Sequence, residues 1–78
     1  MTHANNPGLE QWNGSSLRLR RLAANMTLRE LAEKLNSSTS TIARWESGTH
    51  PPPAETVHRL AEILFANPDD FSREPRIV

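Results

Sequence analysis

The sequence predicts an all-α protein, with a compact domain of five helices behind a flexible N-terminal arm. Three observations support this fold class. Apolar residues recur at helical spacing in several segments, capping residues stand where these segments begin, and asparagine, glycine or proline stands where they end. At 78 residues the chain is long enough for one domain with one small core. We expect residues 1–14 to form the arm, residues 15–73 the domain and residues 74–78 a loose tail.

The arm and the first helix are predicted from composition and capping. The first 14 residues are rich in asparagine, glycine and proline and show no helical period, although Trp12 could pack on the domain. They contain no lysine or arginine, so the arm is a poor candidate for a contact in the minor groove of DNA. Ser15 or Ser16 can cap a first helix that ends near Asn25.

The second and third helices are predicted on either side of a tight turn. Thr27 and Glu30 have the spacing of a capping box, in which each side chain accepts a hydrogen bond from the backbone of the other residue. Asn36 tolerates the left-handed conformation that the turn needs. The apolar residues of the second helix follow at helical spacing: Leu28, Leu31, Ala32 and Leu35.

The third helix is predicted over Thr39–Ser47, with Ser38 as its cap and Gly48 after its last residue. It is rich in serine and threonine, which are poor helix formers, so its neighbours must hold it in place. Ile42 and Trp45, three residues apart, are the expected anchors in the core. The opposite face, made of small polar side chains, is then available for another molecule.

Prolines and acidic residues mark the last two helices. Pro53 suits the first turn of a fourth helix. The inner face of that helix is predicted to consist of Val57, Leu60, Ala61 and Leu64. The run Asn67-Pro68-Asp69-Asp70 combines a cap, a proline and two acids at the positive end of a helix dipole, and predicts a short fifth helix from about Asp69 to Arg73.

The composition excludes several classes of protein. There is no cysteine, so disulfides, zinc–thiolate sites and thiol nucleophiles are excluded. His3, His50 and His58 lack the spacing of metal ligands, and no phosphate-binding loop or nucleophile elbow is present. We therefore expect neither an enzyme nor a cofactor or metal. No segment is typical of a secretion signal or a membrane span, so we expect a cytoplasmic protein with no membrane partner.

The charges are unevenly distributed, although the formal net charge is zero. Residues 1–48 carry six basic and four acidic side chains, whereas residues 49–78 carry three basic and five acidic ones. Neutrality argues against a nucleic-acid-binding protein, but the surplus of positive charge lies in the half that contains the second and third helices. Both halves could equally be ordinary solvated surfaces.

The order of these residues resembles the Cro/phage-repressor helix-turn-helix family, often called XRE-type, over about residues 17–71. The most specific matching segments are TLRELAEKL (27–35), STSTIARWESG (38–48) and NPDDF (67–71). The resemblance implies a lambda-repressor-like fold whose third helix, residues 39–47, enters the major groove of DNA.

The resemblance also implies roles for individual residues. Base contacts are expected from Thr39, Ser40 and Arg44, because a guanidinium can bond both major-groove acceptors of guanine. The alternative for Arg44 is a solvated arginine or one paired with an acid. Arg21 and Glu46 match a structural salt bridge between the first and third helices. Contacts to the DNA backbone are expected from six side chains: Arg20, Thr27, Ser38, Thr41, Ser47 and Thr49.

Some positions depart from the family pattern and leave few cations around the third helix. Leu28 stands where the family usually has a glutamine that contacts DNA or steadies the third helix. Thr49 and His50 stand where basic residues are frequent. Arg20 occupies a position that is usually apolar, where it could add a phosphate contact.

These features together predict a sequence-specific DNA-binding transcriptional regulator, specifically a repressor that binds an inverted repeat in double-stranded DNA as a homodimer. Ile63, Phe65 and Phe71 are the candidate dimer surface; the alternative is that they are buried within the monomer. The rival function is a protein-interaction module, such as an antitoxin or an adaptor, with weak or no DNA binding. Its partner would be a toxin or a co-regulator.

Overall fold

The computed structural model describes residues 11–72, and in this part the chain forms four α-helices and one short 3-10 helix. The all-α fold class is confirmed, with four α-helices in place of five. The predicted fifth helix is a single 3-10 turn because Ser72 is extended and forms an antiparallel bridge with Trp12. The elements are α1 (Gly14–Ala23), α2 (Leu28–Leu35), α3 (Thr39–Ser47), α4 (Ala54–Ile63) and the 3-10 helix (Pro68–Phe71).

The caps of α2 and α3 are those that the sequence predicts. The Thr27 hydroxyl accepts the Glu30 backbone N–H at 3.0 Å, and the Glu30 carboxylate accepts the Thr27 N–H at 2.8 Å. The Ser38 hydroxyl accepts a backbone N–H from the first turn of α3. Asn36 and Gly48, after the two helices, have φ angles of 58° and 83°. Local hydrogen bonding therefore fixes where both helices begin and end.

Helix α1 begins and ends earlier than predicted. Its N-cap is Asn13, whose side chain accepts the Ser16 N–H at 3.1 Å, so the predicted serine cap is wrong. The Ser16 hydroxyl instead donates to the Asp70 carbonyl at 2.6 Å. The helix ends at Ala23, and Asn25 then turns the chain with a φ angle of 61°. The shift moves residues 13 and 14 from the predicted arm into the helical domain.

One hydrophobic core joins all five elements. Ile42 is fully buried and Trp45 is almost so, which confirms them as the anchors of α3. Serine and threonine have a low helix propensity, so the burial of Ile42 and Trp45 is what stabilises α3 as a helix. The buried apolar side chains are Trp12, Leu17, Leu31, Ala32, Leu35, Ile42, Trp45, Leu60, Ala61, Leu64 and Phe71.

Trp12 belongs to this core, so the segment predicted as an arm is packed from at least residue 12 onward. Its indole N–H donates to the Trp45 carbonyl at 2.7 Å, and its ring lies 6.0 Å from the ring of Phe71, centroid to centroid. The Asn13 N–H also donates to the Phe71 carbonyl at 2.8 Å. The predictions for residues 1–10 and for the tail, 74–78, lie outside the described residues.

Gly14 brings α1 into close contact with α3. A Cβ atom at this position would overlap the carbonyl oxygens of Trp45 and Glu46. Only glycine allows two backbones to approach so closely.

Within residues 11–72, no helix is both long enough and apolar enough to span a bilayer.

Candidate nucleic-acid interface

The exposed face of α3 is the candidate interface. Ile42 and Trp45 turn into the core, so the side of the helix opposite to them faces solvent. All but one of its side chains are short, which lets another molecule approach the helix closely. The exposed residues are Thr39, Ser40, Ala43, Arg44 and Ser47.

The structure places the three predicted base-contacting residues together on this face. Thr39 and Ser40 lie in the first turn of α3, and Arg44 lies one turn further on. Within the described chain, Arg44 makes no salt bridge, so the alternative of an arginine neutralised by a neighbouring acid is not seen there. Its guanidinium is therefore available to a ligand.

Hydroxyl groups cluster at both ends of α3. At its start, the hydroxyls of Ser38 and Thr41 lie 3.0 Å apart, and Ser38 also caps the helix. At its end, the hydroxyls of Ser47 and Thr49 lie 2.7 Å apart, and Ser47 donates to the Arg44 carbonyl at 3.0 Å. All of these bonds are local. The two clusters are thus held in place by the helix termini themselves.

The other two predicted backbone contacts lie away from α3. Thr27 uses its hydroxyl as the cap of α2, where it is exposed. Arg20 has a different partner, since its guanidinium lies 3.0 Å from a carboxylate oxygen of Asp70. A phosphate contact by Arg20 would have to compete with this half-exposed ion pair, so the structure does not favour it.

Arg21 and Glu46 form a bidentate ion pair between α1 and α3. Arg21 Nε donates to Glu46 Oε2 at 2.6 Å, and Nη2 donates to Glu46 Oε1 at 3.1 Å. Arg21 Nη1 donates to the Met26 carbonyl at 2.8 Å. Both charged side chains are less than one tenth exposed. The hydrogen bond to Glu46 raises the pKa of Arg21 above its ordinary value. The two charge-assisted hydrogen bonds fix α3 against α1.

The three candidate dimer residues have different environments. Phe71 is 1% exposed and packs on Trp12, so its placement in a dimer surface is wrong. Its ring is needed inside the monomer, where it closes the core under the 3-10 helix. Ile63 is partly buried against the core. Phe65 is 91% exposed and is the candidate that remains available on the surface.

Two features of this interface were missed at the level of sequence. Ala43 lies on the exposed face between Ser40 and Ser47, and helical spacing from either serine could have identified it. The support of α3 by Gly14 and Trp12 had no sequence signal, because these contacts join residues more than 30 positions apart.

In residues 11–72, no group of three or more histidine, cysteine or acidic side chains could hold a metal ion.

Comparison with known proteins identifies relatives of this fold. A family model described as "Helix-turn-helix" matches residues 17–71, which is more than half of the chain. No curated protein matches the sequence.

One similar solved structure is the crystal structure of Fe(II)-HppE with the alternative substrate (S)-1-HPP. Its TM-score is 0.70 and its sequence identity is 24%, over 91% of this chain and 35% of that one. The present chain thus spans about a third of that protein's length. At this identity the likeness concerns the fold alone.

Proposed function

This chain belongs to the helix-turn-helix family of the XRE type, a family of DNA-binding regulators, and we propose that it is a transcriptional repressor that binds an inverted repeat in double-stranded DNA as a homodimer. The observation that carries the proposal is the exposed face of α3. It combines small polar side chains with an unpaired arginine, on a helix that is anchored from behind by Ile42 and Trp45.

In this proposal α3 lies in the major groove and Arg44 reads a base directly. Its guanidinium donates to O6 and N7 of a guanine, the commonest specific contact in protein–DNA complexes. Thr39 and Ser40, in the first turn, reach neighbouring base edges with short hydroxyl side chains. The Ala43 methyl group offers an apolar contact to the methyl group of a thymine. The Arg21–Glu46 pair keeps α3 at a fixed angle to the rest of the domain.

Phosphate contacts come from the hydroxyl clusters at the two ends of α3 and from Thr27 at the start of α2. The first turn of α3 also presents backbone N–H groups and the positive end of the helix dipole to a phosphate. These contacts are mostly neutral. Neutral contacts release few counter-ions, so we expect a slope no steeper than roughly −2 to −3 per protomer in a plot of log affinity against log salt.

A homodimer follows from the size of the domain. A single module of this size makes few base contacts, so tight specific binding needs two copies on two half-sites. The two α3 helices would then lie about one helical turn of DNA, roughly 34 Å, apart. Control would come from the protein's own concentration or from a partner protein.

The first experiment is selection of bound sequences from a pool of random duplexes, repeated at two salt concentrations. We expect enrichment of an inverted repeat whose half-sites contain a guanine at one position. Failure to enrich any sequence, or binding that disappears at the higher salt concentration, would overturn the proposal. It would favour the rival function, a protein-interaction module, which the zero net charge and the apolar Leu28 support.

The substitution Arg44→Ala tests direct reading of a base. We expect binding to the selected operator to weaken by about 1–3 kcal/mol, with relaxed preference at one base pair and unchanged thermal unfolding. Arg59→Ala, which removes an exposed arginine from α4, is the matched control and should change affinity uniformly and only slightly. Equal affinities of the Arg44→Ala variant and the native protein would refute the role of Arg44.

A further inference from the structure

Phe65 occupies a backbone conformation that disfavours phenylalanine. Helix α4 ends in a Schellman motif, in which the Ala66 N–H donates to the Ala61 carbonyl at 2.8 Å and the Phe65 N–H donates to the Glu62 carbonyl at 3.4 Å. This motif requires a left-handed residue, and Phe65 has a φ angle of 55°. Glycine usually fills this position because a Cβ atom there is strained.

The same residue is also the most exposed large apolar side chain of the described chain, at 91%. Within residues 11–72, three other residues have a positive φ angle, and all three tolerate this conformation: Asn25, Asn36 and Gly48. Glycine or asparagine at position 65 would therefore remove both the backbone strain and the exposed aromatic ring. At 91% exposure the ring buries almost no surface that could offset these two costs within residues 11–72, which points to a contact with another molecule.

An apolar groove on the same protein is suited to receive an aromatic ring. It has a volume of about 190 Å³ and lies between α4, the 3-10 helix and the segment before α1. Its walls combine the apolar residues Trp12, Val57, Pro68 and Phe71 with the polar residues Gln11, Asp69 and Ser72. Val57 lies in the first half of α4, whereas Phe65 follows the end of that helix. The groove also reaches Pro68, three residues after Phe65, so it extends from the first half of α4 to the chain beyond that helix.

We propose that Phe65 inserts into this groove on a second copy of the chain, and that the second copy returns the same contact. Two copies related by a twofold axis, with their α4 helices antiparallel, present each Phe65 to the groove of the other copy. The zero net charge leaves no overall repulsion between the copies. This inference rests on the proposed homodimer and identifies its contact surface.

The area of this contact predicts a weak dimer. An aromatic side chain buries about 150–250 Å², so the two rings together bury roughly 300–500 Å². The groove walls add little, because Trp12 and Phe71 are only 3% and 1% exposed in the monomer. Stable interfaces bury about 1,200–2,000 Å² in total, so this contact alone is below their range. Two copies would therefore associate measurably only at high concentration, and more tightly when both are bound to one operator.

Sedimentation velocity of the full chain over a range of concentrations tests the role of Phe65. We expect Phe65→Ser to raise the dimer dissociation constant at least tenfold and to reduce cooperative binding to the selected operator. Leu19→Ser, at a leucine of α1 that is 67% exposed, is the control and should leave both unchanged. A dimer that persists in Phe65→Ser would overturn this inference and leave the proposed function standing. A native protein that is monomeric both free and on the operator would refute the homodimer itself.

Two further measurements separate docking from a role inside the monomer. At a concentration where the native protein is monomeric, Phe65→Gly should raise Tm by about 4 °C or more because it relieves the left-handed strain, although the same variant should dimerise less. A lower Tm would mean that Phe65 stabilises the monomer and would overturn the inference.

The second measurement is of the Val57 methyl signals by NMR. These signals should shift with protein concentration in the native protein and not in Phe65→Gly. Val57 signals that stay constant while the dimer forms would refute the groove.

Discussion

Arg21 and Glu46 show how a single pair of side chains can set the angle of α3. Both charges are almost removed from water, and each is satisfied by the other through two hydrogen bonds. Burial of two charges costs nearly as much as their attraction returns, so such a pair adds orientation rather than stability. Removal of one partner destabilises the fold, because the remaining charge stays buried without a counter-ion.

Glu46→Ala should therefore destabilise the fold strongly. We expect a loss of about 3 kcal/mol in the free energy of unfolding, measured by urea denaturation. Glu33→Ala breaks the exposed pair of Arg29 and Glu33, whose side chains are 80% and 70% exposed, and should change stability by less than about 0.5 kcal/mol. Similar urea midpoints for the two variants would show that the Arg21–Glu46 pair does not hold α3.

At the scale of elements, α3 depends on what lies behind it. Its own residues favour a helix weakly, so its position is determined by the burial of Ile42 and Trp45 and by contact with α1. That contact is a direct approach of two backbones, since Gly14 lies against the carbonyl groups of Trp45 and Glu46. The helices α1 and α3 can therefore lie this close together only because Gly14 has no side chain.

Gly14→Ala should push the two helices apart. We expect a loss of about 1–3 kcal/mol in stability, as is typical of overpacking, together with weaker operator binding because α3 moves. Gly48→Asn, at the glycine that follows α3, is the matched control. Its position is open and left-handed, and asparagine tolerates that conformation, so we expect a loss below about 1 kcal/mol. An unfolding curve for Gly14→Ala that equals that of the native protein would show that α1 can shift freely.

At the scale of the whole molecule, the two ends of the described chain close over one side of the core. Trp12 joins them, since its ring contacts Phe71, its backbone pairs with Ser72, and its indole N–H bonds the Trp45 carbonyl at the end of α3. The segment before α1 thus stabilises the helix that we propose to bind DNA. It does so from behind, with the exposed face of α3 left open.

Trp12→Phe tests this closure. The variant keeps an aromatic ring but loses the indole N–H and some volume, so we expect unfolding to become easier by about 1–2 kcal/mol. Urea denaturation followed by circular dichroism measures the change. Leu22→Ala, at a half-exposed position of α1, should shift the midpoint much less. If the two variants unfold at the same midpoint, Trp12 does not contribute the stability that its burial implies.

Much of the fold could be predicted because its signals are local. The capping box of Thr27 and Glu30, the Ser38 cap and the turn residues Asn36 and Gly48 each act within a few positions of the chain. The apolar spacing of α2 and α3 identified the sides that face the core. The resemblance to the helix-turn-helix family indicated Thr39, Ser40 and Arg44, which the structure places on one exposed face.

Other features were decided only by the tertiary structure, because they depend on which distant residues meet. No local pattern distinguishes Phe71, which packs on Trp12 inside the core, from Phe65, which is exposed in a strained turn. The need for glycine at position 14 arises from a backbone more than 30 residues away. By itself the sequence determined the helices and the exposed face of α3, since hydrogen bonding and apolar spacing act over a few residues. Only packing decided how that face is held and which aromatic ring remains free for a partner.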